Sequence, residues 1–103
     1  MDLRVQLAES LDETTWDLLI PHVKRDAVLV VNEGLDLLDV GVAIANDDVL
    51  SVQHWISEQL MHKPLLEQLS NWNSNQNKRF QALIVQPYVL VQELSTDFTK
   101  KFG

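Results

Sequence analysis

The side chains able to do chemistry gather at two places in the sequence. His22, Lys24, Arg25 and Asp26 crowd together just before a run of branched apolar residues. Asp47 and Asp48 sit side by side further on, with His54, Glu58 and His62 after them. An imidazole, two cations and a carboxylate meeting two further carboxylates would suit a small polar ligand. His22, Lys24, Arg25, Asp26, Asp47 and Asp48 are therefore a candidate ligand site, if the fold brings them together. Each half also has a plainer reading. Lys and Arg late in a helix complement its dipole. Adjacent aspartates ahead of a helix are caps, and their side chains diverge too far for an acid–base dyad.

Other chemistries lack their residues. His54 and Glu58 share a helix face at i, i+4, but the three histidines form no HExxH pair. A solvated face with caps accounts for them, and no metal or cofactor is expected. With glycine only at 34, 41 and 103, there is no phosphate-cradling loop. Ser10, Ser51 and Ser57 sit in no nucleophile elbow. The chain has no cysteine, which removes disulfides, thiolate zinc sites and cysteine nucleophiles together and fits a reducing compartment. No catalytic residue emerges, and a non-enzyme is expected.

Composition narrows the partners. At 103 residues and 46% apolar content, the chain suits one domain with one core. The net charge is −7, and residues 1–50 carry three basic residues against eleven acidic ones. Such a surface repels phosphate backbones, so nucleic acid is disfavoured. An RNA-binding reading would rest on Lys78-Arg79 with Phe80 and on Lys100-Lys101. The start MDLRVQLAES lacks the basic and apolar regions of a signal peptide. No apolar run approaches the roughly 20 residues of a membrane helix. A soluble, cytoplasmic protein without membrane attachment is expected.

The elements that must position these residues follow from apolar spacing. Leu3, Leu7 and Leu11 predict a short helix over 3–11. Trp16, Leu19, Ile20 and Val23 predict a second helix capped near Thr14, with a kink or a fresh turn at Pro21. AVLVV at 27–31 reads as a buried strand. In 35–45 the large residues Leu38, Val40, Val42 and Ile44 alternate with small ones, which predicts a strand pairing back as a hairpin. A helical reading would place apolar residues all round. Asn46-Asp47-Asp48 opens a helix to about His62, with Val49, Val52, Ile56 and Leu60 as its core stripe. Pro64 opens another, facing inward through Leu65, Leu66, Leu69 and Trp72.

Residues 79–93 form a β segment with Gln86-Pro87 in its middle. Fully extended it would span about 50 Å at strand rise, too long for one straight strand in a small domain. Proline in a strand marks an edge, a bend or a bulge. Gln86, Pro87 and Tyr88 are accordingly the candidate partner-binding residues, with a partner strand or a second copy adding beside 83–91. The expected fold is α+β in the order ααββααβ. It has a mainly antiparallel sheet of three to four strands with helices on one face. Residues 1–93 form the domain and 94–103 a tail in which Phe98 and Phe102 are the apolar residues.

Taken in order, HVKRDAVLVV (22–31), LDLLDVGVAIANDD (35–48), VQHWI (52–56), KP (63–64) and RFQALIVQPYVLVQ (79–92) resemble a small bacterial family, domain of unknown function 2288. The resemblance covers about residues 3–92 and is sharpest in KRDAV and LIVQPYVLVQ. It implies a stand-alone domain and brings with it no activity, substrate, cofactor or site residue. The functional expectation is a non-catalytic module that binds a protein partner or self-associates. The alternative is a small-molecule or metal-binding domain using residues 22–26 and 47–48.

Overall fold

A computed structural model describes residues 2–94. Its chain order is α1 (Leu3–Ala8), β1 (Asp12–Thr15), α2 (Trp16–Lys24), β2 (Val28–Val31), α3 (Leu37–Ala45), α4 (Val49–Ser57), β3 (Met61–His62), α5 (Leu66–Ser74), β4 (Arg79–Val85) and β5 (Tyr88–Glu93). The strands make one sheet in the order β1-β4-β5-β2-β3. Its β2–β5 pairing is parallel and the rest are antiparallel. The class is α+β as expected, but the sheet is mixed and has five strands among the described residues. Helices cover both of its faces. The expected one-sided arrangement fails because strand residues of both parities are apolar. In β5, Val89 and Val91 face one way and Leu90 the other, and all three are buried.

On the first face, α2 and α5 close over the sheet. Trp16, Trp72 and Phe80 meet there with ring centroids 4.9–5.9 Å apart, Trp72 and Phe80 edge to face at 87°. Such tilted contacts are favourable for aromatic quadrupoles. The Trp16 indole N–H donates to Asn73 Oδ1 at 2.7 Å, so its one polar atom is satisfied. The helix α2 runs on through Pro21. Strand β1 had no apolar pattern to announce it. It is a polar edge, DETT, held in register by β4 with Thr14 opposite Phe80.

On the second face lie α1, α3 and α4. Residues 37–45 are a helix, not the expected strand. Asp36 decides the matter locally, since its carboxylate accepts from the N–H groups of Leu38 and Asp39. Leu37, Val40 and Gly41 then recur at i, i+3 and i+4 as a buried face. Gly41 sets how closely α3 approaches β4. A Cβ there would stand 2.5 Å from Leu83 Cδ2 and 3.3 Å from Val85 Cγ2. Arg4 of α1 bonds Asp39 and Asp36, joining α1 to the start of α3 and holding its own pKa above the ordinary value, chiefly through the Asp39 hydrogen bond.

The segment 79–93 is two strands. Val85 pairs with Tyr88 across a two-residue turn, and its Gln86-Pro87 peptide is cis. Pro87 therefore marks a hairpin turn, neither an edge nor a bulge. Both arms are interior: β4 pairs with β1 and β5, and β5 with β4 and β2. Strand β1 pairs only with Arg79–Ala82, so along 83–91 the side of β4 away from β5 has no strand neighbour at Leu83–Val85, while Val89–Val91 of β5 are paired on both sides.

Candidate functional site

A groove of about 830 Å³ opens on the second face. Its position follows from how α4 is hung. After α3, Asp47 takes a left-handed conformation (φ 56°), and the Asp47 and Asp48 amides donate back to Ile44 and Ala43. Asp48 then caps α4, accepting from the Ser51 amide and from its hydroxyl at 2.7 Å. At the far end Gln59 is also left-handed (φ 61°), and the Leu60 amide donates to Trp55 at 2.8 Å. That stop ends the helix at Ser57, so 61–62 become β3 instead of helix, pairing with Val30 and Val31 of β2.

Strapped at both ends, α4 stands beside the sheet rather than flat on it. None of its residues is buried. Val52 and Trp55 touch the core part-buried, while Val49 and Ile56 are 56% and 53% exposed. Of the expected core stripe, Val49 and Ile56 thus face open space, while Val52 and Leu60 are half-buried. Leu29 and Tyr88 of the sheet, Ala43 and Ile44 of α3, and Val49, Val52 and Ile56 of α4 line the groove. Met61 and Leu65 continue the apolar wall. Asp47, Asp48, Gln53, Gln59, His62 and Lys63 are its polar members. Lys63 donates to Asp26 at 2.5 Å, so its charge is met by a carboxylate. His62 Nδ1 lies 2.8 Å from the Lys63 carbonyl, which can only accept, so that nitrogen carries a proton.

The sequence candidates divide. Asp47, Asp48 and Tyr88 line the groove, and Gln86 and Pro87 form the turn leading into Tyr88. None of residues 22–26 is in the lining. Arg25 donates to His22 Nδ1 at 2.6 Å, Asp26 meets Lys63, and Lys24 closes α2. The ligand set expected from the sequence therefore does not converge with Arg25 facing Asp47 or Asp48. The basic grouping at 78–80 is engaged structurally. Phe80 is fully buried, Lys78 pairs with Glu93, and Arg79 with Glu13. Lys100 and Lys101 lie outside the described residues. Among the described residues no three His, Asp or Glu gather closely enough to hold a metal ion, and no helix is long and apolar enough to cross a membrane. Val49, Ile56, Met61 and Leu65 are the site residues that sequence reasoning missed. Their only signal was helical apolar spacing, which looks the same whether the stripe is covered or open.

Comparison with known proteins matches this architecture. The solution NMR structure of PA1075 from Pseudomonas aeruginosa superimposes with a TM-score of 0.76 at 28% identity, covering 88% of this chain and 83% of that one. A search of curated proteins gave no match. The model of the family described as "Protein of unknown function (DUF2288)" matches residues 2–93, which is every described residue but Leu94. The chain belongs to the DUF2288 family.

Proposed function

We propose that this protein is a small, non-catalytic cytoplasmic interaction module. Its docking surface is the groove between α3, α4, β3 and the start of β5. The observation that carries the reading is the exposure of an apolar helix stripe. Val49, Ile56, Leu65 and Tyr88 all stand open along one concavity. A contiguous exposed apolar surface with a polar rim is how partner sites look. The occupant is a protein segment, from a partner or a second copy, laid into the groove by its side chains. Tyr88 remains a contact residue in this reading, now through its ring rather than through a strand edge.

Affinity purification and light scattering on matched variants test the reading. Ile56→Glu places a charge in the groove, and Leu18→Glu places one at a 63% exposed position on α2 outside it. Loss of the bound partner, or of the dimer, with Ile56→Glu alone is the expected result. Equal behaviour of the two variants rules the groove out as the docking surface.

A small-molecule site is the second reading, favoured by volume. Ligand clefts fall at about 300–1,000 Å³ with mostly apolar linings. Asp47 and Asp48 would be its polar contacts. A metabolite or metal that raises the melting temperature of the wild type but not of Asp47→Asn is the outcome expected there.

A further inference from the structure

We infer that the groove is a self-association surface: two copies of the chain pack α4 antiparallel about a two-fold axis, each helix seated in the other's groove. The inference rests on the reading of the groove as a protein-docking surface and names its occupant as a second copy. Three observations lead to it.

The first is apolar area. Val49, Ile56, Leu65 and Tyr88 line the groove and are 39–56% exposed. Leu50 and Leu66 follow two of these lining residues in the chain. At 81% and 86% they are the most exposed large apolar side chains among the described residues. The others of that kind, Val5, Leu18 and Ile84, lie on three different elements. Together the six leave several hundred square ångströms open. That is large for the apolar patch of a monomer and approaches the roughly 800 Å² per partner of a standard interface. A surface at the low end of that range makes a dimer that forms on concentration and separates on dilution.

The second is self-complementary spacing. In a two-fold interface, residue i of one copy meets j of the other, and j meets i. The α4 residues that line the groove are Val49, Val52, Gln53 and Ile56, evenly disposed about a midpoint between 52 and 53. An antiparallel copy turned about that midpoint sets Val49 against Ile56 of the second copy, and Ile56 against its Val49. Each helix then fills the other's concavity, against the Leu29, Leu65 and Tyr88 of its lining.

The third is charge. Asp47 and Asp48 are the carboxylates of the lining, and both stand at the N-terminal end of α4. A parallel pairing would crowd the aspartates of two copies together, and like charges repel. Antiparallel pairing separates the two sets by the length of a nine-residue helix, about 13 Å. Each set then meets Gln59 and Lys63 of the other copy, which line the groove past the C-terminal end of α4 and donate hydrogen bonds. Lys63 donates one N–H to Asp26 and keeps two more for a second carboxylate.

The test uses the full chain, whose lack of cysteine lets one introduced thiol report one position. In light scattering the wild-type mass should rise from the 11.8 kDa of one chain toward twice that between micromolar and millimolar concentration. Val49→Glu and Ile56→Glu should each hold the protein at the single-chain mass, and Leu18→Glu should not. On oxidation, Gln53→Cys should cross-link to itself, and Val49→Cys mixed with Ile56→Cys should give the mixed dimer. Val49→Cys alone should not, because its two copies lie about 10 Å apart along the helices, beyond the roughly 7 Å Cα limit of a disulfide. A wild type that keeps the single-chain mass at millimolar concentration overturns the inference, as does a dimer indifferent to Val49→Glu and Ile56→Glu. Val49→Cys that cross-links to itself as readily as to Ile56→Cys also overturns it, because the helices then run parallel. If the wild type is monomeric but Ile56→Glu still abolishes a partner that Leu18→Glu keeps, the docking reading stands and only its occupant is wrong. If it is monomeric and both variants keep the same partner, both readings fall.

Discussion

On one face of the sheet, α2 and α5 bring two tryptophans against Phe80 and leave little of any of the three in contact with solvent. On the other, α3 presses a glycine against β4 and seals its half, while α4 next to it has no fully buried residue and touches the core only through part-buried Val52 and Trp55. The helices α2 and α4 have the same length and both carry an apolar stripe. What separates them is how each enters and leaves the sheet. The first turn of α2 is tied to the loop before β4, with the Trp16 and Asp17 amides donating to the Lys78 and Gln76 carbonyls. Asp47 and Gln59 instead turn the chain sharply at both ends of α4 and hold it off the strands. Apolar spacing makes a helix amphipathic, and end geometry decides whether its apolar side is core or surface.

The comparison can be broken by removing matched side chains from each face. Phe80→Ala empties the centre of the aromatic cluster and should cost about 3–5 kcal/mol in urea unfolding. A loss below about 1 kcal/mol is too small for a packed core site and would mean that this face is not closed. Gly41→Val tests the sealed half of the second face. Its added carbons must displace Leu83 and Val85, and a loss of about 1–3 kcal/mol is expected from overpacking. An unchanged midpoint would show that α3 has room to move away from β4. The smallest stability effect belongs to the open half. Val49→Ser and Ile56→Ser should each stay within about 0.5 kcal/mol of wild type, as surface changes do. A large loss in either would show that α4 is packed in solution, and that the groove is closed by something that also stabilises the fold.

How legible the molecule was depended on the range of the deciding interaction. The caps at Asp48 and the buried strand at 28–31 were readable because each rests on neighbours in sequence. Residues 35–45 were misread because alternation and helical spacing both fit the same apolar run. Asp36 was the local signal against a strand, since a carboxylate there accepts from the next turn's amides. Strand β1 was invisible, being polar throughout and defined only by its pairing with β4. Of the candidate site, Asp47, Asp48 and Tyr88 were named in advance. The expected meeting with Arg25 failed because His22 and Lys63 partner Arg25 and Asp26 instead.

By itself the sequence determined the class of the fold, most of the helices, the absence of cysteine, glycine-loop and HExxH chemistry, and an interruption of the last β segment at Pro87. These rest on residue type and on spacing within a few positions. Only the tertiary structure decided that the sheet has helices on both faces, that β4 and β5 are interior, and that the α4 stripe is uncovered. Strand order depends on pairings between residues far apart in the chain, such as Val30 with Val91. Burial depends on what stands opposite a side chain, and an apolar residue in sequence carries no record of whether anything does.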